Sequence, residues 1–103
     1  MLTFNLKKEW FEKIKNGEKT HEYRVMSPYW AKRIFNAIRK DKCFNLKCKF
    51  ACGYPKANEK EKWLKANIVR ITHYVWGQDT DLKIDKFVYD IEFELINEVK
   101  NAD

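Results

Sequence analysis

Within Gly17-Glu18-Lys19-Thr20-His21-Glu22-Tyr23-Arg24 the chain places an ammonium, a carboxylate and a guanidinium close together. On an extended strand Glu22 and Arg24 are two apart, so they share a face and can pair. Lys19 follows a glycine turn, from which its ammonium can reach a cleft between helix and sheet. As a bare pattern the simplest reading is a structural ion pair at the mouth of a barrel. A second reading is recognition, in which the carboxylate accepts from a base edge while the cations hold phosphate. A third is catalysis. Glu22 becomes a general base for water if burial raises its pKa, with Lys19 beside it. Lys19 and Glu22 are therefore the candidate catalytic residues. A metal-free ribonuclease would use the same three side chains as base, acid and phosphate ligands.

Further ring and charge candidates flank this centre. Tyr29 and Trp30 open a helix that carries Lys32 and Arg33 one turn on, and Tyr54 and Lys56 sit on a later turn. Trp30 begins an apolar stripe and reads first as core; Tyr29 lies off that stripe and is the better stacking candidate. The ligand-binding set is thus Lys19, Glu22, Arg24, Tyr29, Arg33, Tyr54 and Lys56. His21 and His73 read as strand residues, since neither has a partner at metal-ligand or nucleophile spacing. Cys43, Cys48 and Cys52 read as free thiols. On a strand Cys48 and Cys52 lie about 13 Å apart, too far to share one zinc. No cofactor or metal is expected.

These residues must be held by a small body. The chain has 103 residues, with 45% hydrophobic and 16% aromatic side chains, enough for one core and too apolar for a disordered tail. No apolar run approaches the roughly 20 residues that cross a membrane, and Met1 to Lys8 lacks the order of a secretory leader. A soluble, cytoplasmic protein is expected. Residues 1–70 carry 18 basic and 7 acidic side chains, whereas residues 71–103 carry 3 and 8. A basic body suits a polyanionic partner met on one surface. The acidic excess falls largely on Asp90, Glu92 and Glu94, one face of a single strand, which could also serve a protein partner.

Periodicity supplies the scaffold. Leu2–Leu6 alternates as a strand, and Lys7–Asn16 forms a helix with Trp10, Phe11 and Ile14 on one stripe, ended by Gly17. Lys19–Val25 is a second strand. Ser27-Pro28 caps a helix that runs to about Lys40 and buries Trp30, Ile34, Ala37 and Ile38. Phe44–Cys52 and Trp63–Trp76 are strands, and Gly77–Asp81 is a loop. In the last strand, Phe87–Leu95, the odd residues from Phe87 to Leu95 face inward. The order β-α-β-α-β-β-β predicts an α+β domain around a curved, mostly antiparallel sheet.

The spacing Gly17, Lys19, Glu22, Arg24 resembles the G-x-K-x-x-E-x-R signature of the ASCH family, in the PUA-like superfamily. Leu6–Ile14, Pro28–Ile34 and Phe50–Lys56 are similar to the family as well, so the resemblance spans most of the chain outside residues 57–86. It implies a single ASCH domain over residues 1–103, a small PUA-like β-barrel of mostly antiparallel strands with two to three flanking helices. It also implies that RNA or a modified nucleoside or nucleotide is the ligand. Two activities accompany the family, amide hydrolysis on N4-acetylcytidine and RNA cleavage. In the amidohydrolase a threonine three residues after the signature lysine is the proposed nucleophile. Lys19 matches that lysine, but the threonine position is Glu22 here, and no counterpart of the family's further glutamate aligns.

Overall fold

The computed structural model describes residues 1–41 and 46–96. Alternation in the first segment produces β1 (Leu2–Leu6), which turns Leu2, Phe4 and Leu6 into the core. Helix α1 (Lys8–Lys15) buries Phe11 and Ile14 and leaves Trp10 half-buried. Gly17 ends it with φ +80°, a backbone region that side chains disfavour. The amides of Glu18 and Lys19 both donate back to the Lys13 carbonyl, at 2.9 and 3.1 Å. For that reason β2 starts at His21 (His21–Val25), two residues later than alternation alone predicts. Gly17→Ala meets no neighbouring atom, so only the backbone objects. Its expected cost is about 1 kcal/mol, measurable by urea unfolding.

The helix start read at Ser27-Pro28 is present. Pro28 is the first residue of α2 (Pro28–Asp41), and the Trp30 amide donates to Ser27 Oγ at 3.2 Å. Ile34 and Ala37 are buried, while Trp30 and Ile38 pack at the edge of the core. Cys43, with Phe44 and Asn45 of the predicted third strand, lies outside the described residues; β3 spans Lys47–Cys52. Cys48 is fully buried, and that burial pushes its thiol up to about 12. Cys48 should therefore resist alkylation in the folded protein and react only on unfolding, as mass-resolved labelling would show.

β4 (Trp63–Trp76) and β5 (Phe87–Leu95) complete one mixed sheet in the order β1-β3-β4-β5-β2. Among the described strands, only β1 and β3 run parallel. The register of β4 against β5 slips between Ile68 and Arg70 and again between Thr72 and Val75, where Tyr74 takes φ +61°. Such bulges bend a strand and raise its twist, and here the sheet curls into a half-barrel. The second bulge also corrects one expectation. Val88, opposite Val75 and Val25, enters the core, while Phe87 is 48% exposed. Both helices are joined to the edges of the curl. Its centre is a ladder of rings: Phe4 stands 5.7 Å from Phe50, and Phe50 stands 4.6 Å from Phe93. No helix among the described residues is long and apolar enough to cross a membrane.

Candidate functional site at the open seam of the sheet

The strand order leaves β1 and β2 as opposite edges, and curling turns those edges toward one another without pairing them. Between them lies a cleft of about 410 Å³. β1 contributes Asn5 and Leu6, β2 contributes Glu22 to Val25, and the helices bring Trp10 and Trp30. Lys19 enters from the turn before β2, and Asp81 from the loop between β4 and β5. One guanidinium spans the seam: Arg24 Nη2 donates to the Asn5 carbonyl at 3.3 Å. The same group lies 5.1 Å from both the Phe4 and Trp30 ring centroids.

Glu22 is the chemical centre. It is 5% exposed, the one buried residue of β2, at a position where an apolar side chain would ordinarily sit. Arg24 Nη2 and Nε both converge on Glu22 Oε2, at 2.6 and 2.8 Å. The other oxygen, Oε1, faces Lys19 Nζ at 3.7 Å, beyond hydrogen-bond range. Burial raises the Glu22 pKa above the usual carboxylate value, and this outweighs the opposing pull of Arg24 and Lys19. Oε1 can therefore accept a proton from a ligand N–H when ionised, or donate one when protonated. Lys19 is held between Trp10 and Tyr23, at 5.4 and 5.1 Å from the ring centroids, and gives a 2.6 Å ion pair to Asp81.

Asp81 owes its place to a tightly braced loop. Gly77 donates to the Lys86 carbonyl, and Thr80 caps the turn by donating its hydroxyl to the Gly77 carbonyl at 2.8 Å. A Cβ at Gly77 would lie 2.6 Å from the carbonyl oxygens of Ile84 and Lys86, so no other residue fits that crossing. Lys7 also lines the cleft, so three cations meet two anions there, with Lys19 and Arg24 held in ion pairs to Asp81 and Glu22.

The structure brings Lys19, Glu22 and Arg24 together and sets the other named residues elsewhere. Tyr29 is 57% exposed, edge-on to Trp30, with the Arg33 guanidinium 4.3 Å from its ring centroid. Neither lines the cleft; Arg33 borders a small hollow with Thr3 and Lys40. Tyr54 is 92% exposed on the turn after β3, and Lys56 serves that turn through its backbone, donating to Glu59 and accepting from Trp63. On the opposite face of β2, His21 pairs with Asp90 at 2.7 Å, and Glu92 lies 4.0 Å from Arg70. Two of the three acids of the β5 face are thereby engaged within the sheet. Asn5, Trp10 and Asp81 also line the cleft, although residue type and spacing do not single them out. The rings carried a signal, a Trp on each helix stripe, but nothing local marks Asp81.

No family model, curated protein or solved structure matches the chain.

Proposed function

We propose that the seam cleft recognises a nucleotide or modified nucleobase of RNA and that the chain is an ASCH-type, PUA-like domain. The observation that carries the reading is the convergence of Lys19, Glu22 and Arg24 on one cleft between two tryptophans. A planar, polar ring suits that setting. Trp10 and Trp30 give the cleft aromatic walls, with Lys19 and Arg24 over their rings, and Glu22 Oε1 offers one hydrogen-bonding atom. Lys19 has three N–H donors, of which Asp81 takes one, leaving capacity for a ribose or phosphate oxygen. A buried ionic trio is also a poor way to stabilise a fold, because apolar groups of similar volume do as well. Its presence on a core-facing strand position fits a ligand-binding role.

The test is titration of nucleosides and nucleotides against the protein, read by tryptophan fluorescence, with Lys19→Met and Glu22→Gln beside the wild type. Binding that quenches fluorescence and weakens in both variants supports the reading. Absence of binding at low salt, or binding indifferent to both substitutions, refutes it.

The raised Glu22 pKa supports a second reading, hydrolysis on the same cleft. A carboxyl poised above its usual range, 3.7 Å from an ammonium, can pass a proton to and from water. Incubation with N4-acetylcytidine and with a mixed RNA pool, followed by mass spectrometry, decides it. Product that disappears in Glu22→Gln supports the reading. No product with the wild type, or product that persists in that variant, rejects it.

A further inference from the structure

The outward side of α2 carries Lys32, Arg33, Arg39 and Lys40, all exposed, and no acidic residue lies between Pro28 and Lys40. A helix face that serves solubility interleaves acids and bases three or four residues apart, as α1 does with Glu9, Glu12 and its lysines. Among the described residues, no carboxylate lies within ion-pair distance of any of these α2 cations. Large rings share this side of the helix: Tyr29 and Phe35 are both more than half exposed. Guanidiniums stand over them, Arg33 at 4.3 Å from the Tyr29 centroid and Arg39 at 5.7 Å from that of Phe35.

Helix spacing gathers part of this side into a strip. Tyr29, Arg33, Asn36 and Lys40 recur at intervals of four, three and four, which sets them on one flank over about 16 Å of helix axis. Between that flank and the start of β1 lies a hollow of about 190 Å³, bordered by Arg33, Asn36, Lys40 and Thr3. The strip begins at the cleft. The Tyr29 ring meets Trp30 edge-on at 5.3 Å, and Trp30 lines the cleft.

We propose that this flank of α2 holds the phosphodiester backbone and one stacked base of a single-stranded RNA whose recognised nucleotide occupies the cleft. The inference rests on the proposed reading of the cleft. Arg33 and Lys40 answer phosphate, Asn36 offers hydrogen bonds to the sugar–phosphate chain, and the tyrosine–guanidinium pair is a surface on which a base stacks. A lipid surface needs an apolar helix face, and that of α2 is occupied, with Ile34 and Ala37 in the core. An acidic peptide would meet the same cations; the ring beside the cleft wall favours the polynucleotide.

The experiment compares a mononucleotide with a labelled ribo-oligonucleotide of about 10 residues, by fluorescence anisotropy across a salt series. The wild type is set beside Arg33→Gln/Lys40→Gln, Tyr29→Leu and Lys8→Gln/Lys15→Gln, with circular dichroism to confirm folding. In Arg33→Gln/Lys40→Gln the oligonucleotide should bind more weakly, with a log–log salt slope shallower by about 1.4, two phosphate contacts at about 0.7 each. Lys8→Gln/Lys15→Gln removes the same charge from α1 and should leave the slope unchanged. Mononucleotide binding should not change in either charge variant. Tyr29→Leu should weaken the oligonucleotide about tenfold and leave the slope alone. Unchanged oligonucleotide affinity in Arg33→Gln/Lys40→Gln or in Tyr29→Leu overturns the proposal. So does an equal loss in the α1 variant, competition by polyglutamate as effective as by unlabelled RNA, or no oligonucleotide binding at low salt. Oligonucleotide binding that depends on the α2 flank, without any mononucleotide binding, instead removes the cleft reading and keeps the α2 site.

Discussion

Arg24→Ala should lower the unfolding free energy by about 3 kcal/mol at neutral pH. The loss does not measure the strength of one ion pair. It reflects a carboxylate left inside the protein after both N–H groups on its Oε2 have gone. Lys19 at 3.7 Å softens the loss but does not replace those bonds. The pH dependence follows from the Glu22 pKa, which folding raises. Between the ordinary carboxylate value and the folded one, the native state binds more protons than the unfolded chain. Stability from this group is therefore full at low pH and falls as pH rises through the folded pKa. Removing Arg24 takes away a cation that lowers that pKa, so the fall should steepen and extend to higher pH. Glu22→Gln should abolish this component. Thermal unfolding of the three proteins across mildly acidic to neutral pH checks each sign. If Arg24→Ala unfolds like the wild type at neutral pH, Glu22 is not the buried, arginine-dependent charge described above. The double variant Glu22→Leu/Arg24→Met is the complement. It removes both charges at similar volume and should regain most of the lost stability while losing ligand binding.

Asp81→Asn should bind a nucleoside monophosphate about tenfold more tightly than the wild type does, with little change for the matching nucleoside. In the free protein Asp81 occupies Lys19 at 2.6 Å, so a phosphate approaching that ammonium competes with a carboxylate already in place. A hydrogen bond to a charged group contributes roughly 1.5–3 kcal/mol, and a tenfold change corresponds to about 1.4 kcal/mol, so the effect lies within reach of one contact. Asp81 also borders more than the cleft. A second hollow of about 560 Å³ shares Trp10, Lys19, Tyr23 and Asp81 with the cleft, and the Lys19–Asp81 pair lies between the two. Calorimetric titration of both ligands into both proteins separates the outcomes. Equal gains for nucleoside and nucleotide would mean that Asp81 restricts space. A gain confined to the phosphate would mean that it competes for Lys19. No gain for either would remove Asp81 from the recognition chemistry.

The two predictions differ in how far each is legible without coordinates. Glu22 and Arg24 are two apart on a strand, and the pleat alone puts them on one face. Their pairing needs no partner from elsewhere in the chain. The same holds for the Ser27-Pro28 helix start, the Gly17 stop and the stripes of α1 and α2, all set by contacts within a few residues. Burial of Glu22 is another matter. Alternation says which face it occupies but not that the face points inward, since the other face, with His21, Tyr23 and Val25, is the more apolar of the two. Only the curl that brings β1 across from β2 encloses it.

Tyr29, Arg33, Tyr54 and Lys56 illustrate the opposite case. Their types suit a ligand, yet helix phase and turn direction carry them out of the cleft, and one chain of letters does not record those directions. Asp81 is the clearest instance. It meets Lys19 across 62 positions of sequence, through a loop braced by Gly77 and Thr80. Local chemistry is written in short spacings because covalent geometry sets it. The balance of charge in the cleft depends on which distant loop the sheet's curl delivers, and that is decided only when the whole chain has packed.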